Sequence, residues 1–247
     1  MSINENQIQK IAKEIQGQVK GKVLFDEFSR GRYSTDSSLY QIKPVGAVLP
    51  VDTNDVLQIM EYSQKHHIPL LARGGGSSQC GQTVGESIVL DYSKHQNKIL
   101  EFNKEEKTVW VEPGIVLDQL NAYLKPYGLW YPVDVSTSSR ATIGGMTGNN
   151  SCGSRSLYYG NMVNNVLAVE AILDDGTIHT FEDINKNYLE ITNDQNRQYQ
   201  IIKKFLDIKE KTKEEIDLHF PITQRRVGGY NIDLINPNGF NTSNILV

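Results

Sequence analysis

The chain has 247 residues, of which 38% are hydrophobic, and its formal net charge at pH 7 is -4. This length and composition suit an ordinary globular core, either as one large domain or as two small ones. Lysines are scattered among acidic residues instead of forming a basic stripe, which argues against a nucleic-acid partner. The N-terminal segment has no unbroken apolar run of the kind found in secretory signals or membrane spans, so we expect a cytoplasmic protein without a membrane span.

The first predicted element is an amphipathic helix over residues 3–19, because four isoleucines and Val19 recur there at mostly three- and four-residue spacings. It should end near residues 17–21, where two glycines stand. A second helix is predicted to open near residues 52–55 and to close near His67. A short buried strand should follow at residues 70–72, directly before a glycine-rich stretch.

That stretch, "ARGGGSSQCGQTVG" at residues 72–85, has three consecutive glycines and two more further on, Gly81 and Gly85. Glycine costs about 0.5–1 kcal/mol relative to alanine in a regular element, so the run indicates backbone that turns sharply or approaches something closely. A Walker loop is excluded because Gln82 follows Gly81 where lysine is required, and a Rossmann fingerprint fails at Gln79. Successive N–H groups in such a turn still form an electropositive nest for phosphate, and the alternative is a flexible surface turn.

The rest of the chain alternates strands and helices. Strands are predicted at residues 87–91, 97–103 and 107–114, the last two as a hairpin, and a helix is predicted at 116–126. A second glycine-rich loop is expected at residues 141–160, two strands around an Asp-Asp-Gly turn within 164–182, and a helix near 196–211. Two glycine-rich loops, each following a strand, favour a ligand over a surface turn.

The two cysteines, Cys80 and Cys152, lie one in each glycine-rich stretch. Two cysteines alone form neither a disulfide framework nor a four-cysteine zinc or iron–sulfur site. We interpret them as small buried thiols and not as a redox pair. We expect no metal site in this chain.

Several motifs carry a resemblance to a known family. The stretches "PLLARGGGSSQCGQ" and, from residue 111 to residue 176, "VEPG" to "DDG" resemble the flavin-binding domain of the vanillyl-alcohol-oxidase (PCMH-type) superfamily. "RYSTDSSLYQIKPVGAVLPVDTNDV" and "RRVGGYNIDLI" resemble its branch of FAD-linked D-2-hydroxyacid dehydrogenases, which act on D-lactate, glycolate or D-2-hydroxyglutarate. Within that branch they are most similar to the long bacterial forms that append an iron–sulfur region.

The resemblance implies an α+β fold of two lobes with FAD extended between them. It implies a helical arm and lead-in at residues 1–42 and a PCMH-type FAD-binding domain at 43–247. Lobe one would span about 43–105 and lobe two about 106–247. The C-terminal substrate-capping domain of the relatives, with its metal-ligand histidines, is expected to be absent from this chain.

The resemblance also implies which positions contact the cofactor. The loop cradling the pyrophosphate would comprise Arg73, Gly74, Gly75, Gly76, Ser77 and Ser78, with Gln82 just beyond it. Pro132, Ser136, Thr137, Ser138 and Ser139 would lie along the cofactor. The segment approaching the pyrophosphate and isoalloxazine would contain Ala141, Thr142, Gly144, Gly145, Asn149 and Gly153, followed by Tyr159 and Gly160, and the adenine end would meet Ile172.

The mode of FAD attachment is predicted to be non-covalent. Some superfamily members link FAD to a histidine in or near the first glycine loop, and Ser77 stands there in this chain. The nearest histidines, His66 and His67, are interpreted as a solvated helix end.

The reaction implied is removal of the C2 hydrogen of a D-2-hydroxyacid as hydride to the flavin, giving a 2-oxoacid, with electrons leaving to iron–sulfur centres or a quinone. The catalytic residues are unknown. Arg225, Arg226 and Tyr230 are candidates for binding the substrate carboxylate, and the alternative is a surface basic pair that caps the preceding helix. Two other functions stay open: a same-fold enzyme for another alcohol, and an FAD-binding module or truncated remnant that is inactive without a partner chain.

Overall fold

The computed structural model describes residues 4–185, 187–188, 196–223 and 225–247. The chain divides into two compact units, one formed by Met1–Tyr131 and Thr137–Gly145, the other by Pro132–Ser136 and Met146–Val247. Within the described ranges no helix is both long and apolar enough to cross a membrane.

The first unit contains a four-stranded sheet, a hairpin and four helices of the described chain. Its elements in order are α1 (Glu5–Gln16), β1 (Lys22–Leu24), α2 (Glu27–Arg32), β2 (Gly46–Leu49), α3 (Thr53–His66), β3 (Leu70–Arg73), β4 (Ile88–Asp91), β5 (Ile99–Asn103), β6 (Thr108–Val111) and α4 (Leu117–Leu124), with a 3-10 turn at Lys125–Tyr127. The strand order is β1-β2-β4-β3, with β1 antiparallel to β2 and the other pairs parallel. Strands β5 and β6 pair as the predicted antiparallel hairpin.

The predicted first helix is confirmed over Glu5–Gln16, and residue 3 lies outside the described residues. Its start is fixed by a capping box, in which the side chains of Asn4 and Gln7 each bond the backbone of the other. Helix α3 is also confirmed, with Asp52 as N-cap and an end at His67, which has a φ of 54°. His66 and His67 are exposed, as expected of a solvated helix end.

The prediction of a buried strand after α3 is wrong in one respect. The strand exists as β3, but Leu70 and Leu71 are only half-buried and Ala72 is exposed. The reason is the sheet order, which places β3 at an edge with a neighbour on one side only. The buried centre of the sheet is β2, all of whose residues are buried, together with Ile88 to Leu90 of β4.

A fully buried carboxylate fixes the connections around this sheet. Asp55 of α3 accepts hydrogen bonds from the backbone N–H groups of Lys20 (2.8 Å), Gly21 (2.9 Å) and Val51 (2.9 Å). Each bond involves a charged acceptor and is therefore stronger than a neutral one. The carboxylate thus joins the turn between α1 and β1 to the start of α3.

The second unit combines helices with two antiparallel strand pairs. It contains α6 (Ser156–Tyr159), α7 (Met162–Asn165), β7 (Val169–Ile172), β8 (Ile178–Phe181), β9 (Asp183–Asn185), α8 (Arg197–Lys211), α9 (Lys213–His219) and β10 (Gly239–Asn241), with 3-10 turns at Ile232–Leu234 and Thr242–Ile245; α5 (Ile143–Thr147) precedes them. The β7–β8 hairpin and helix α8 confirm the predictions for residues 164–182 and 196–211. Strands β9 and β10 pack with α8 around Ile202 and Phe240.

The prediction of a second glycine-rich loop after a strand is wrong. Residues 143–147, which include Gly144 and Gly145, form helix α5, and Ser156–Tyr159 form α6, with no strand between α4 and α5. Contacts with other segments of the same chain override the low helix propensity of these two glycines. The Oγ1 of Thr142 accepts from the Gly145 N–H at 3.3 Å, and the Gly144 N–H donates to Pro113 O at 2.8 Å.

Candidate functional site

The first glycine-rich stretch forms a turn after β3, here called the glycine loop (residues 74–83), that packs on the segment before α5. A Cβ added to Gly74 would overlap the Oγ1 of Thr142, and one added to Gly75 would overlap the carbonyl oxygen of Arg140. These two glycines are therefore required for contact between two parts of the protein itself. The first unit thus brings together two of the stretches predicted to hold the cofactor.

The glycine loop presents backbone donors. Among the described residues, no group accepts a hydrogen bond from the N–H groups of Gly75, Gly76 or Ser77. Ser78 Oγ donates to Gln82 Oε1 at 2.7 Å, which ties the predicted Ser78 and Gln82 to each other. Gly76 has a φ of 62°, a left-handed conformation that glycine adopts without strain. This donor set fits an anionic group such as a pyrophosphate.

The guanidinium of Arg73, at the end of β3, is turned towards the protein. It donates to the carbonyl oxygens of Thr35 (2.8 Å) and Thr83 (3.0 Å). Burial lowers the pKa of Arg73, and the nearby Asp91 and Asp36 carboxylates together with Tyr33 oppose that shift. Arg73, the charged residue among the predicted cofactor contacts, therefore donates its hydrogen bonds to main-chain carbonyl groups of the protein.

The segment before α5 is fixed by its own backbone. The Thr137 carbonyl accepts from the N–H groups of Arg140 and Ala141, both at 2.8 Å, and Ser138 O accepts from the Asp118 N–H at 3.2 Å. Ala141 and Thr142 are buried, whereas Gly145 is exposed at the surface of the first unit. Of these three predicted residues, Gly145 is the one exposed to a ligand, and its N–H group already donates to Thr142 Oγ1.

In the second unit the predicted Gly153 packs on Asp134, a residue that the sequence reasoning missed. A Cβ at Gly153 would overlap the carbonyl oxygen of Asp134. The Asp134 carboxylate accepts from the Arg155 N–H at 2.9 Å and from Ser154 Oγ at 2.8 Å. Burial raises the pKa of Asp134, but these hydrogen bonds outweigh it, so the pKa is lowered overall. The run of small residues at 151–154 indicates close packing of the backbone, but no feature of that run identifies Asp134 as the partner.

The two predicted arginines have different environments. Arg226 donates from Nη2 to Asp233 Oδ1 at 2.9 Å and to Asn231 Oδ1 at 3.0 Å, and its guanidinium carbon lies 4.1 Å from the centroid of the Phe220 ring. Arg225 is exposed and donates to the Sγ of Cys152 at 3.3 Å. The third candidate, Tyr230, is 71% exposed.

The buried Asn150 and Asn161 hold the chain beside this pair, and the sequence reasoning missed both. The Nδ2 of Asn161 donates to the carbonyl oxygen of Arg226 at 3.0 Å, and that of Asn150 donates to the same oxygen at 3.5 Å. Asn150 also accepts from the Val163 N–H at 3.1 Å and has a φ of 42°. The predicted Asn149, by contrast, is exposed.

The remaining predicted positions of the second unit lie at the end of helix α6, at the end of strand β7 and in the segment 132–136. Tyr159 is exposed at the end of α6, Gly160 follows with a φ of 81°, and Ile172 is half-buried at the end of β7. Pro132 is half-buried and Ser136 exposed.

The cysteine interpretation is partly wrong. Cys80 is exposed because it lies at the tip of the glycine loop, and Cys152 is half-buried; both are free thiols. In the described part of the chain, no three His, Cys, Asp or Glu side chains are grouped as metal ligands.

Known families and relatives agree with the resemblance. The model of the FAD binding domain family matches residues 44–182, more than half of the chain. The chain is 36% identical over 217 residues to D-2-hydroxyglutarate dehydrogenase of Pseudomonas putida, an alignment covering 86% of this chain and 22% of that protein. It is 37% identical over 176 residues to glycolate oxidase subunit GlcD of Bacillus subtilis, covering 69% of this chain and 37% of that one. The chain thus spans well under half the length of these curated relatives.

Solved structures share the fold. The wild-type Physcomitrella patens BBE-like 1 protein superposes with a TM-score of 0.61 at 21% identity, covering 69% of this chain and 37% of that one. An alkyldihydroxyacetonephosphate synthase gives a TM-score of 0.60 at 22% identity, covering 70% and 35%. These similarities confirm the predicted α+β fold. The chain therefore belongs to the FAD binding domain family of the PCMH type, and its cofactor is FAD.

Proposed function

We propose that this chain is the FAD-holding part of an oxidoreductase that oxidises a D-2-hydroxyacid, such as D-lactate or D-2-hydroxyglutarate, to the 2-oxoacid. The observation that carries the proposal is the 36% identity to a D-2-hydroxyglutarate dehydrogenase, which extends over 86% of this chain and includes the glycine loop. The motifs "RYSTDSS" and "RRVGGYN" favour hydroxyacids over sugars or aromatic alcohols. When bound, FAD supplies the acceptor for the hydride that leaves C2 of the substrate.

The residues of the glycine loop would bind the pyrophosphate of FAD. The N–H groups of Gly75, Gly76 and Ser77 are the donors that suit its oxygens, and the hydroxyl of Ser77 adds another. The other predicted cofactor positions are proposed contacts along the rest of the molecule. Because Ser77 stands in the loop and the histidines nearest in sequence end α3, we propose that FAD is held non-covalently.

The substrate carboxylate is proposed to bind Arg225 and not Arg226. A guanidinium that pairs with a carboxylate in two hydrogen bonds needs free N–H groups on one edge. Arg226 donates from Nη2 to Asp233 and Asn231. Its Nη1 has no hydrogen-bond partner among the described residues but is buried, so little of this guanidinium is open to a substrate carboxylate. Arg225 is exposed beside Cys152, and the exposed Tyr230 offers a hydroxyl nearby in sequence.

The predicted electron acceptors, an iron–sulfur region or a quinone, stay predictions, as do the cytoplasmic location and the domain boundaries at residues 42 and 105. The function itself is testable with the purified chain. We would record its visible spectrum, precipitate a sample with acid, and then titrate the native protein anaerobically with D-lactate, D-2-hydroxyglutarate and their L-enantiomers.

We expect a flavin spectrum, yellow colour in the acid supernatant, and loss of the visible absorption with a D-hydroxyacid only. Colour in the acid pellet would contradict non-covalent attachment. Bound flavin that no hydroxyacid reduces would favour a binding module that needs a partner chain. Reduction by a different alcohol would favour a same-fold enzyme for that substrate.

A further inference from the structure

A short reversal of the chain, here called the strap (residues 35–41), packs on the glycine loop within the first unit. Thr35 and Gln41 pair in an antiparallel bridge, and the Ile42 N–H donates to Ser34 O at 2.9 Å, which closes the reversal. The strap lies in the motif "RYSTDSSLYQIK", to which the proposed chemistry gives no role.

The strap holds the glycine loop through polar and aromatic contacts. Asp36 Oδ2 accepts from Thr83 Oγ1 at 3.0 Å and from the Thr83 N–H at 3.4 Å, and Ser37 Oγ makes a weak 3.5 Å bond to Gly76 O. The ring of Tyr40 covers Gly81, where a Cβ would lie 2.6 Å from a ring carbon. Both the middle and the end of the loop are therefore attached to the strap.

The side chain of Arg73 also connects the strap to the glycine loop. Its Nη2 donates to Thr35 O at 2.8 Å, and its Nη1 donates to Thr83 O at 3.0 Å and to Tyr33 O at 3.5 Å. The guanidinium carbon lies 5.4 Å from the centroid of the Tyr33 ring, whose hydroxyl donates to Asp91 Oδ2 at 2.7 Å. One side chain thus bonds the strap, the segment before it and the far end of the glycine loop.

The loop itself is shaped around this guanidinium. Gly76 folds back over Arg73 with a φ of 62°, and a Cβ at Gly76 would overlap Nη2. The N–H groups of Gly75 to Ser77 remain without an acceptor in the described chain. Hydrogen bonds from the Arg73 guanidinium therefore fix the conformation of the turn. The backbone N–H groups of the turn stay available to a ligand.

We propose that Arg73 is a positioning residue, which ties the glycine loop to the strap and thereby arranges the N–H groups that bind the pyrophosphate. The proposal rests on the proposed function, since it assigns the pyrophosphate to this loop. It replaces the predicted direct contact between Arg73 and FAD. A planar guanidinium spans three carbonyl oxygens, which a lysine ammonium does not reproduce.

The test compares R73K and R73M with wild type and with R30K. Arg30 is the control because its guanidinium, which is buried, likewise bonds a backbone carbonyl, Pro44 O at 3.0 Å, and also Glu5 at 2.8 Å, outside the loop and the strap. The measurements are the Kd of FAD from flavin fluorescence at low and high salt, and the Tm of the FAD-free protein.

We expect both R73K and R73M to weaken FAD binding by about tenfold or more, because bonds to a charged group are lost in each. In R73K, which keeps a positive charge beside the loop, the salt dependence of the Kd should stay that of wild type although the affinity falls. R30K should lower the Tm but leave the Kd within about twofold. A direct phosphate contact predicts instead that R73K retains affinity and that R73M loses both affinity and salt dependence.

The inference is overturned if R73K binds FAD like wild type, or if R30K weakens binding as much as R73K does. If the Arg73 variants do not fold, D36N decides, because it weakens the bonds between the strap and Thr83 while Arg73 remains. A severalfold loss of affinity supports the proposal that attachment to the strap positions the glycine loop, and an unchanged Kd overturns it. Wild-type protein that gains no flavin signal in the same titration overturns the proposed function together with this inference, whereas unchanged variants overturn the inference alone.

Discussion

Gly75 has two physical roles at one position of the glycine loop. Its backbone packs so closely on Arg140 that a methyl group would overlap the Arg140 carbonyl oxygen. Its N–H group, without an acceptor among the described residues, is available to a phosphate oxygen. The sequence predicted that the glycines let a ligand approach the backbone closely. The structure shows that Gly75 also lets another segment of the protein pack closely on the loop.

We expect Gly75→Ala to lower the free energy of unfolding by about 1–3 kcal/mol, because a backbone carbonyl must move to make room. Gly31 in α2 is the control, since a Cβ there meets nothing within 4 Å. Gly31→Ala should be neutral or stabilise by about 0.5–1 kcal/mol, the usual gain within a helix. Urea unfolding of the two variants measures both effects, and equal stabilities would contradict the close packing at Gly75.

At the scale of elements, Asp134 shows how a carboxylate organises a turn of the second unit. It accepts hydrogen bonds from Arg155 and Ser154, and Gly153 packs on its carbonyl group. These bonds lower its pKa in the folded chain despite the opposing effect of burial. Since the folded pKa lies below the unfolded one, the charged carboxylate stabilises the fold at pH values above the unfolded pKa of about 3.9.

We therefore expect Asp134→Asn to lower the free energy of unfolding by about 1 kcal/mol at pH 7, given that the side chain is partly solvated. The difference from wild type should shrink as the pH falls below about 5 and vanish once Asp134 is protonated in the folded state. Asp217→Asn, on the exposed face of α9, is the control. A loss that is constant from pH 7 to pH 3 would show that Asp134 acts through shape and not through its charge.

Individual elements also show which parts of the fold could be predicted from the sequence. Helices α1 and α3 and the β7–β8 hairpin were predicted well because their signals are local: apolar spacing, a capping residue and an Asp-Asp-Gly turn. Helix α5 was missed because contacts with Pro113 and Thr142 override the glycines in it. The half-exposure of β3 follows from its edge position, which depends on the order of four strands.

The residues of the candidate site likewise fall into those predicted from the sequence and those not predicted. Its glycines were predicted from composition and from the resemblance, because both are properties of a continuous stretch. The contact between Asp134 and Gly153 and the hydrogen bond between Arg73 and Thr35 join residues far apart in the sequence, and neither was predicted. Such pairs are set by the folded chain, and no pattern within either stretch reports them.

At the scale of the whole molecule, FAD binding and folding are linked. A ligand that binds only the folded state stabilises it by about 2.7 kcal/mol at a free concentration of 100 Kd. For a domain of 150–250 residues each kcal/mol corresponds to about 2–4 °C in Tm. Saturating FAD should therefore raise the Tm of the transition in which the glycine loop unfolds by about 5–11 °C.

The part of FAD responsible for this stabilisation is identified by comparing FAD with ADP and riboflavin in thermal scans. ADP contains the pyrophosphate and should raise the Tm, though less than FAD, because the N–H groups of the glycine loop bind phosphate oxygens. Riboflavin lacks phosphate and should raise the Tm least. If riboflavin instead matched FAD and ADP had no effect, the binding energy would come from the isoalloxazine alone. The N–H groups of Gly75, Gly76 and Ser77, which have no acceptor in the described part of the chain, would then serve a different ligand.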